Sequence, residues 1–325
     1  MSEPVVEWRG VTRAFRAAGR AGRGKKLHAL RGVSLIVNEG QSVALVGESG
    51  CGKSTLARMA VRLEEPDTGE VLIDGRPLSA LNRRERREQT TQIQLVPQDA
   101  AAALDPRSTI GTSVAEPLVI HHRGSSVERQ TKVQSLLAEV GLDPSLTDRY
   151  PHQLSGGQRQ RVVIARALAL EPRMLIADEP VSALDVSVRA QVLNLLQDIQ
   201  RQRSLALLVI SHDLAVVRTI TERIDVMYLG RIVESGDTRE VIAHPTHPYT
   251  AALVAAFPDP NPANRLQRGA PEGEVPSPVD LPSGCSFAGR CPNVQDDCLT
   301  IDPLIGVTPA QKGSACIHPL MPSRS

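Results

Sequence analysis

Apolar residues along this chain fall into short runs separated by longer stretches of helical periodicity. Val43 to Val46, Leu175 to Ala177 and Ala206 to Ile210 are too short for helices and carry no polar alternation, which is how strands buried on both faces read. Ile93 to Val96 is also strand-like, and Ala190 to Gln200, between the last two strands, is helical. Strands and helices in this order predict a mainly parallel sheet with helices on its faces, an α/β fold. Between Gln98 and Leu154 strand signals fade and helical ones such as Val127 to Val140 take over, so an inserted helical subdomain is expected over about 99–159. After Phe257 the composition turns to Pro, Gly, Asn and Ser, and Pro258, Pro260, Pro262, Pro271, Pro276, Pro278 and Pro282 break any regular element. The expected division is therefore one domain over 1–256 and a small, irregular extension over 257–325. No internal repeat is visible.

Three motifs sit on this pattern. The run Val43 to Val46 leads into Gly47-Glu48-Ser49-Gly50-Cys51-Gly52-Lys53-Ser54, which fits G-x-x-x-x-G-K-[ST]. Its glycines let the backbone curl so that successive N–H groups face a polyphosphate. Lys53 is expected to reach the β- and γ-phosphates and Ser54 to ligate Mg²⁺, with Thr55 next along the helix. Cys51 occupies a free position of the motif and reads as a small filler. The strand Met174 to Ala177 ends in Asp178-Glu179, suited to hold Mg²⁺ and to act as a general base on water. Between these two lies Leu154-Ser155-Gly156-Gly157-Gln158, which opens a helix running through Arg161 to Leu170 with Ser155 as N-cap. A helix N-terminus carries free donors and partial positive charge, so it can serve as a phosphate ligand.

Phosphate loop, LSGGQ and acidic strand end, in that order, make residues 5 to 255 resemble the ATP-binding subunits of ABC transporters. The resemblance implies a P-loop NTPase (RecA-like) core, hydrolysis of ATP to ADP and phosphate, and Mg²⁺ as cofactor. It assigns Glu179 as general base and His212, just past the strand Leu207 to Ser211, as the switch histidine on the γ-phosphate. Gln98 becomes the glutamine that senses Mg²⁺ and the attacking water, so Ser54, Gln98 and Asp178 form the expected Mg²⁺ set. Asp185, in Ser182-Ala183-Leu184-Asp185, belongs to the D-loop. Phe15 matches the aromatic that stacks on adenine, with a core position as the alternative. Ser155 to Gln158 would act on nucleotide held by a second subunit, so that ATP joins two subunits and hydrolysis releases them.

Within the family, Tyr150-Pro151-His152-Gln153, Asp105-Pro106-Arg107 and His247-Pro248-Tyr249-Thr250 resemble the oligopeptide, dipeptide and nickel importers. That branch implies two integral-membrane permeases, an extracytoplasmic solute-binding protein, a second ATPase subunit that is the same or a paralogue, and a place on the cytoplasmic face of the membrane. Pro97 and the small run Ala100 to Ala103 depart from the family where the permease would dock. The tail carries Cys285, Cys291, Cys298 and Cys316, with Cys291-Pro292 resembling the Cys-Pro of iron-sulfur ligand runs. The branch's cysteine-rich extension implies a [4Fe-4S] cluster in some members; zinc and metal-free thiols are the alternatives, although zinc favours closer cysteine pairs.

Bulk composition changes little in this picture. A net charge of +1 and 2% aromatic residues give no reason to expect nucleic-acid binding, by charge or by base stacking. Arg16 to Lys26 reads as a solvated basic loop. Arg83, Arg84, Arg86 and Arg87, interleaved with Glu85 and Glu88, read as a mixed-charge helix face. No apolar run approaches the roughly 20 residues of a membrane-spanning helix, and no export signal opens the chain. A soluble ABC ATPase not coupled to transport is the alternative class; its translation type doubles the unit and its repair type inserts a coiled coil, and neither feature is visible.

Overall fold

The computed structural model describes residues 4–17, 24–256, 276–304 and 312–321. It forms two compact units. The first to appear in the chain, here the loop unit, comprises Glu3–Asn38, Ser42–Ala80 and Ser211–Ser325. The other, here the helical unit, holds Glu39–Gln41 and Leu81–Ile210.

The loop unit opens with β1 (Pro4–Arg16), β2 (Lys26–Asn38), β3 (Ser42–Val46), α1 (Lys53–Ala60), β4 (Thr68–Ile73) and β5 (Arg76–Pro77). The helical unit follows with α2 (Arg83–Gln92), β6 (Ile93–Val96), α3 (Ile110–Ile120), α4 (Ser126–Glu139), α5 (Gly156–Leu168), β7 (Met174–Asp178), α6 (Val186–Arg203) and β8 (Ala206–Ser211). The chain then returns to the loop unit with α7 (Leu214–Ile220), β9 (Arg223–Tyr228), β10 (Arg231–Asp237), α8 (Thr238–Ala243), α9 (Pro248–Ala255) and β11 (Gly313–Ser314).

In the helical unit β6 pairs in parallel with β7, and β7 in parallel with β8. Every residue of β7 and β8 is buried, so the uninterrupted apolar runs of the sequence correspond to strands covered on both faces. Helices begin where side chains satisfy their first N–H groups. Asn82 with Glu85, Ser125 with Glu128 and Ser155 with Gln158 each form a capping box, at α2, α4 and α5. α5 stops at Leu168, two residues short of the expected end, because Pro172 disfavours helical geometry at Glu171, which turns to φ 54°. α6 is longer than its apolar periodicity suggested. α2 buries only Thr91, as its mixed charges predicted.

In the loop unit β2, β1, β4 and β5 form an antiparallel sheet in that order. The apolar-run pattern does not reveal these strands. Register shifts between Trp8 and Val11, with Gly10 at φ 55°, break the period-two alternation of β1. Trp8 is fully buried and donates its Nε1–H to the Leu56 carbonyl of α1 at 3.1 Å. β3 pairs in parallel with β9, and β10 pairs antiparallel with β9 and with β11. Arg16 and Lys26, expected in a solvated loop, are exposed, paired ends of β1 and β2, and Lys25 ion-pairs with Asp280 at 2.7 Å; 18–23 lie outside the described residues.

The tail residues that are described have little regular structure, as the prolines predict; Pro258, Pro260, Pro262 and Pro271 lie outside the described residues. The tail shares the core of the loop unit rather than building its own. Phe287, 1% exposed, packs edge-on against Tyr228 and Tyr249 with ring centroids 5.4 and 5.5 Å apart. Asp302 ion-pairs with Arg31 at 3.1 Å and Arg231 at 2.8 Å, while Arg31 also donates to Ser286 Oγ at 2.7 Å. Among the described residues no helix is long and apolar enough to cross a membrane.

Candidate functional site

The buried strand β3 delivers the chain into the loop Gly47 to Gly52. A Cβ at Gly47 would lie 2.1 Å from the Met227 carbonyl oxygen, and one at Gly52 would lie 2.3 Å from that of Ala29. Both glycines also have positive φ, 154° and 110°, so two constraints exclude side chains there. One side of the loop is thus pressed onto β9 and β2. Gly50 (φ 79°) has open space where its side chain would be. Lys53 is buried, and its ammonium donates to the carbonyls of Gly47 at 2.7 Å and Glu48 at 2.9 Å. The N-cap of α1 is Gly52, which has no side chain to offer, so no side-chain cap covers the first-turn donors near Ser54 and Thr55. A cradle of this shape, with a lysine folded into it and a bare helix start, fits a polyphosphate.

Glu48 is held at several points. Its N–H donates to Tyr249 Oη at 2.9 Å, and both carboxylate oxygens take a guanidinium nitrogen of Arg290 at 3.0 Å. Burial pushes the Tyr249 hydroxyl above its ordinary range, so it remains a neutral phenol. Burial also pushes the Cys51 thiol up; it is 5% exposed and fills space beneath the loop, as its free motif position suggested. Phe15 is half-buried near the end of β1, with the Arg13 guanidinium 4.9 Å from its ring centroid. His212 is exposed just past β8, and the adjacent Asp213 caps α7 through the N–H groups of Ala215 and Val216.

The helical unit brings the other chemistry together. Gln98 lies two residues beyond β6, and Asp178 is the buried last residue of the neighbouring β7. Glu179 follows in the left-handed region at φ 47°, unusual for a residue with a side chain, and its N–H donates to the Ile210 carbonyl at 2.9 Å. In this position Glu179 Oε2 accepts from Gln98 Nε2 at 2.9 Å. The carboxylate and amide oxygens of Asp178 and Gln98 are the hard donors that Mg²⁺ prefers.

Ser155 caps α5 with its hydroxyl on the Gln158 N–H, while Gln158 Oε1 accepts from the Ser155 N–H at 2.9 Å. α5 starts tightly against the segment containing Asp185. A Cβ on Gly157 would lie 2.4 Å from Val188 Cγ1, whereas one on Gly156 would rest 3.5 Å from Leu184. Asp185 is exposed at the N-cap of α6 and makes no side-chain cap bond.

Cys285, Cys291, Cys298 and Cys316 all line one small pocket in the loop unit, together with His247 and His318. Burial pushes the thiols of Cys285, Cys291 and Cys316 up, so each needs a cation to become a ligand thiolate. Among the described residues, one group of three or more metal-binding side chains has all its donor atoms within 4.8 Å of one another: Asp297, Cys298 and His318. His247 is buried, its pKa pushed down to about 4, and the neutral ring accepts the Tyr249 N–H at 3.0 Å to cap α9.

The structure thus gathers the loop residues, pairs Gln98 with Glu179, sets Ser155 to Gln158 beside the Asp185 segment, and lines one pocket with all four tail cysteines. Sequence reasoning missed Arg290, which lies 242 residues from Glu48 and has no motif around it. It read Tyr249 only as part of a branch signature.

Comparison with known proteins agrees with this geometry. Residues 30–182 match the ABC transporter family, and residues 233–298 match the oligopeptide/dipeptide transporter C-terminal region. The oligopeptide transport ATP-binding protein OppF of Salmonella typhimurium is 49% identical over 286 residues, covering 86% of this chain and 85% of that protein. The dipeptide transport ATP-binding protein DppF of Haemophilus influenzae is 46% identical over 294 residues, 90% of each. The ATP-binding cassette MJ0796, solved as a dimer in a post-hydrolysis state with ADP and Pi, aligns with TM-score 0.64 and 32% identity over 72% of this chain and 99% of that one. The chain belongs to the ABC transporter ATP-binding proteins. Its fold is accordingly that of an ABC ATPase, and its reaction is ATP hydrolysis.

Proposed function

We propose that this chain hydrolyses ATP to power import of oligopeptides, dipeptides or a related solute through partner permeases, on the cytoplasmic face of the membrane. The observation that carries the hydrolytic assignment is the Gln98–Glu179 hydrogen bond, which orients a carboxylate beside an amide at the end of β7. Glu179 takes a proton from water as its oxygen bonds to the γ-phosphorus, the bond to the β-bridging oxygen breaks, and ADP and phosphate result. Lys53 and the loop N–H groups from Gly47 to Thr55 bind the phosphates, Phe15 stacks on adenine, and His212 contacts the γ-phosphate. Ser54, Gln98 and Asp178 would hold Mg²⁺, which would supply positive charge to offset that of the phosphates. Ser155, Gly156, Gly157 and Gln158, with Asp185, act on the nucleotide of a second ATPase subunit.

Support for a transport role comes from the match over 233–298 and from the named roles of the relatives. These disfavour a soluble ATPase uncoupled from transport. A groove of about 700 Å³ in the helical unit, bordered by Ala103, Glu116, Ile120 and Arg166, suits a protruding permease segment. The full assembly we infer has two ATPases, two permeases and a solute-binding protein. Reconstituted in proteoliposomes with its partner permeases, the chain should hydrolyse ATP faster when loaded binding protein is added, and accumulate peptide. Hydrolysis indifferent to every permease and binding protein would return the reading to the soluble class.

We also assign a [4Fe-4S] cluster to Cys285, Cys291, Cys298 and Cys316, with zinc as the alternative. The pocket that all four cysteines line supports a shared metal group, and Cys291-Pro292 supports iron-sulfur ligation. Protein prepared without oxygen should be brown and carry about four irons per chain. Colourless protein with one zinc would select the alternative, and a metal-free tail with unchanged protease resistance would remove both.

A further inference from the structure

Arg290 has no part in the catalytic reading, yet its side chain is only 8% exposed. A guanidinium withdrawn from water needs a matched anion. Here both terminal nitrogens meet both oxygens of Glu48, each at 3.0 Å, in the two-pronged geometry particular to arginine. Tyr228 Oη lies 3.4 Å from one of those nitrogens, and the Tyr228 and Phe287 ring centroids are each 5.9 Å from the guanidinium carbon. An arginine guanidinium keeps its charge across the physiological pH range.

The partner is what gives this pair a consequence. Glu48 lies inside the phosphate loop and brings a negative charge to a segment that must accept a highly anionic nucleotide. We propose that Arg290 is a positioning residue of the phosphate loop: it neutralises Glu48 and, with Tyr249 on the Glu48 N–H and Lys53 on the Glu48 carbonyl, holds the loop in its nucleotide-binding shape. The cysteine-bearing tail is thereby part of the ATP-binding machinery. Without the guanidinium, the carboxylate, 27% exposed, repels phosphate and is free to pull the loop away. The competing account makes the pair a staple that merely fastens the tail. The two differ in a measurable way, because a staple broken by losing Arg290 cannot be mended by also removing the charge of Glu48.

This inference rests on the reading of the loop as the ATP site, and the test separates the two. Full-length protein is titrated with fluorescent MgATP analogue, and hydrolysis is measured for Arg290→Met, Arg290→Lys and the double variant Glu48→Gln/Arg290→Met. Arg290→Met should raise Kd and KM by about tenfold, as for a charge left unpaired in a partly buried site, with kcat little changed. Arg290→Lys keeps the charge but loses the fork and should fall between. The double variant should recover most of the lost affinity, and the Arg290→Met penalty should shrink as salt is raised. Nucleotide affinity indifferent to Arg290→Met, or equally weak in the single and double variants, overturns the proposal. If Arg290→Met does not fold, the comparison moves to Arg290→Lys and Glu48→Gln/Arg290→Lys: weakening in the first that is relieved in the second supports it, and equal affinity overturns it. Wild-type protein that binds no nucleotide, or binds it undiminished as Lys53→Ala, would instead sink the ATP-site reading itself.

Discussion

Glu179→Gln should cut steady-state ATP hydrolysis by about 10² to 10⁴-fold, the usual contribution of a positioned general base, while leaving nucleotide binding intact. The structure explains why this substitution isolates one property. Glutamine can keep the acceptor oxygen that receives Gln98 Nε2 and the backbone turn that donates the Glu179 N–H to Ile210, so the local scaffold persists. The left-handed φ of 47° burdens glutamate and glutamine about equally. Only the ability to take a proton from water is lost. With hydrolysis blocked and binding preserved, ATP-bound pairs of subunits should accumulate, visible as a nucleotide-dependent shift in size-exclusion chromatography. Steady-state rates equal to wild type in the assembled transporter would remove Glu179 from the role, and loss of nucleotide binding would show that the substitution had disturbed more than proton transfer.

Much of this site is legible in the sequence because its chemistry demands particular residues at particular spacings. Gly47 and Gly52 cannot carry a side chain against Met227 and Ala29, and Ser155 is placed to cap α5. The buried parallel strands are legible for a different reason: covered on both faces, β3, β7 and β8 carry uninterrupted apolar runs, Val43 to Val46, Met174 to Ala177 and Ala206 to Ile210. The strands of the antiparallel sheet are harder to read because bulges interrupt the alternation that would reveal β1. The tail is harder still. Its prolines predict only an irregular extension, and Phe287 shows how one side chain can enter a core built elsewhere, in a chain with few aromatic residues to mark the spot. The Arg290–Glu48 pair leaves no local trace, since ion pairs between residues so far apart in sequence follow from packing alone.

The proposed action of the LSGGQ segment across a subunit boundary calls for a variant that blocks the helix start without disturbing the fold, and the geometry distinguishes the two glycines. Any side chain on Gly157 collides with Val188 Cγ1 at 2.4 Å, so Gly157→Asp would force Val188 or α6 to shift as well as add charge. At Gly156 the Cβ meets Leu184 at an ordinary 3.5 Å, and a carboxylate in the first turn of α5 suits the partial positive charge there. Gly156→Asp should therefore fold and bind MgATP on its own loop, yet repel the γ-phosphate offered by a partner. Removing preorganised donors of this kind costs on the order of 10² to 10³-fold in turnover, so hydrolysis should drop by at least that much. If the chain pairs with itself, mixing Gly156→Asp with Lys53→Ala should restore activity: one kind of interface joins the intact loop of the first to the intact helix start of the second. The recovered rate should reach at most one working site per mixed pair. Full activity in a pure Gly156→Asp preparation that binds ATP normally would show that the LSGGQ helix is not a catalytic element in this protein. No recovery on mixing, with each variant folded and inactive, would instead point to a paralogous ATPase as the natural partner.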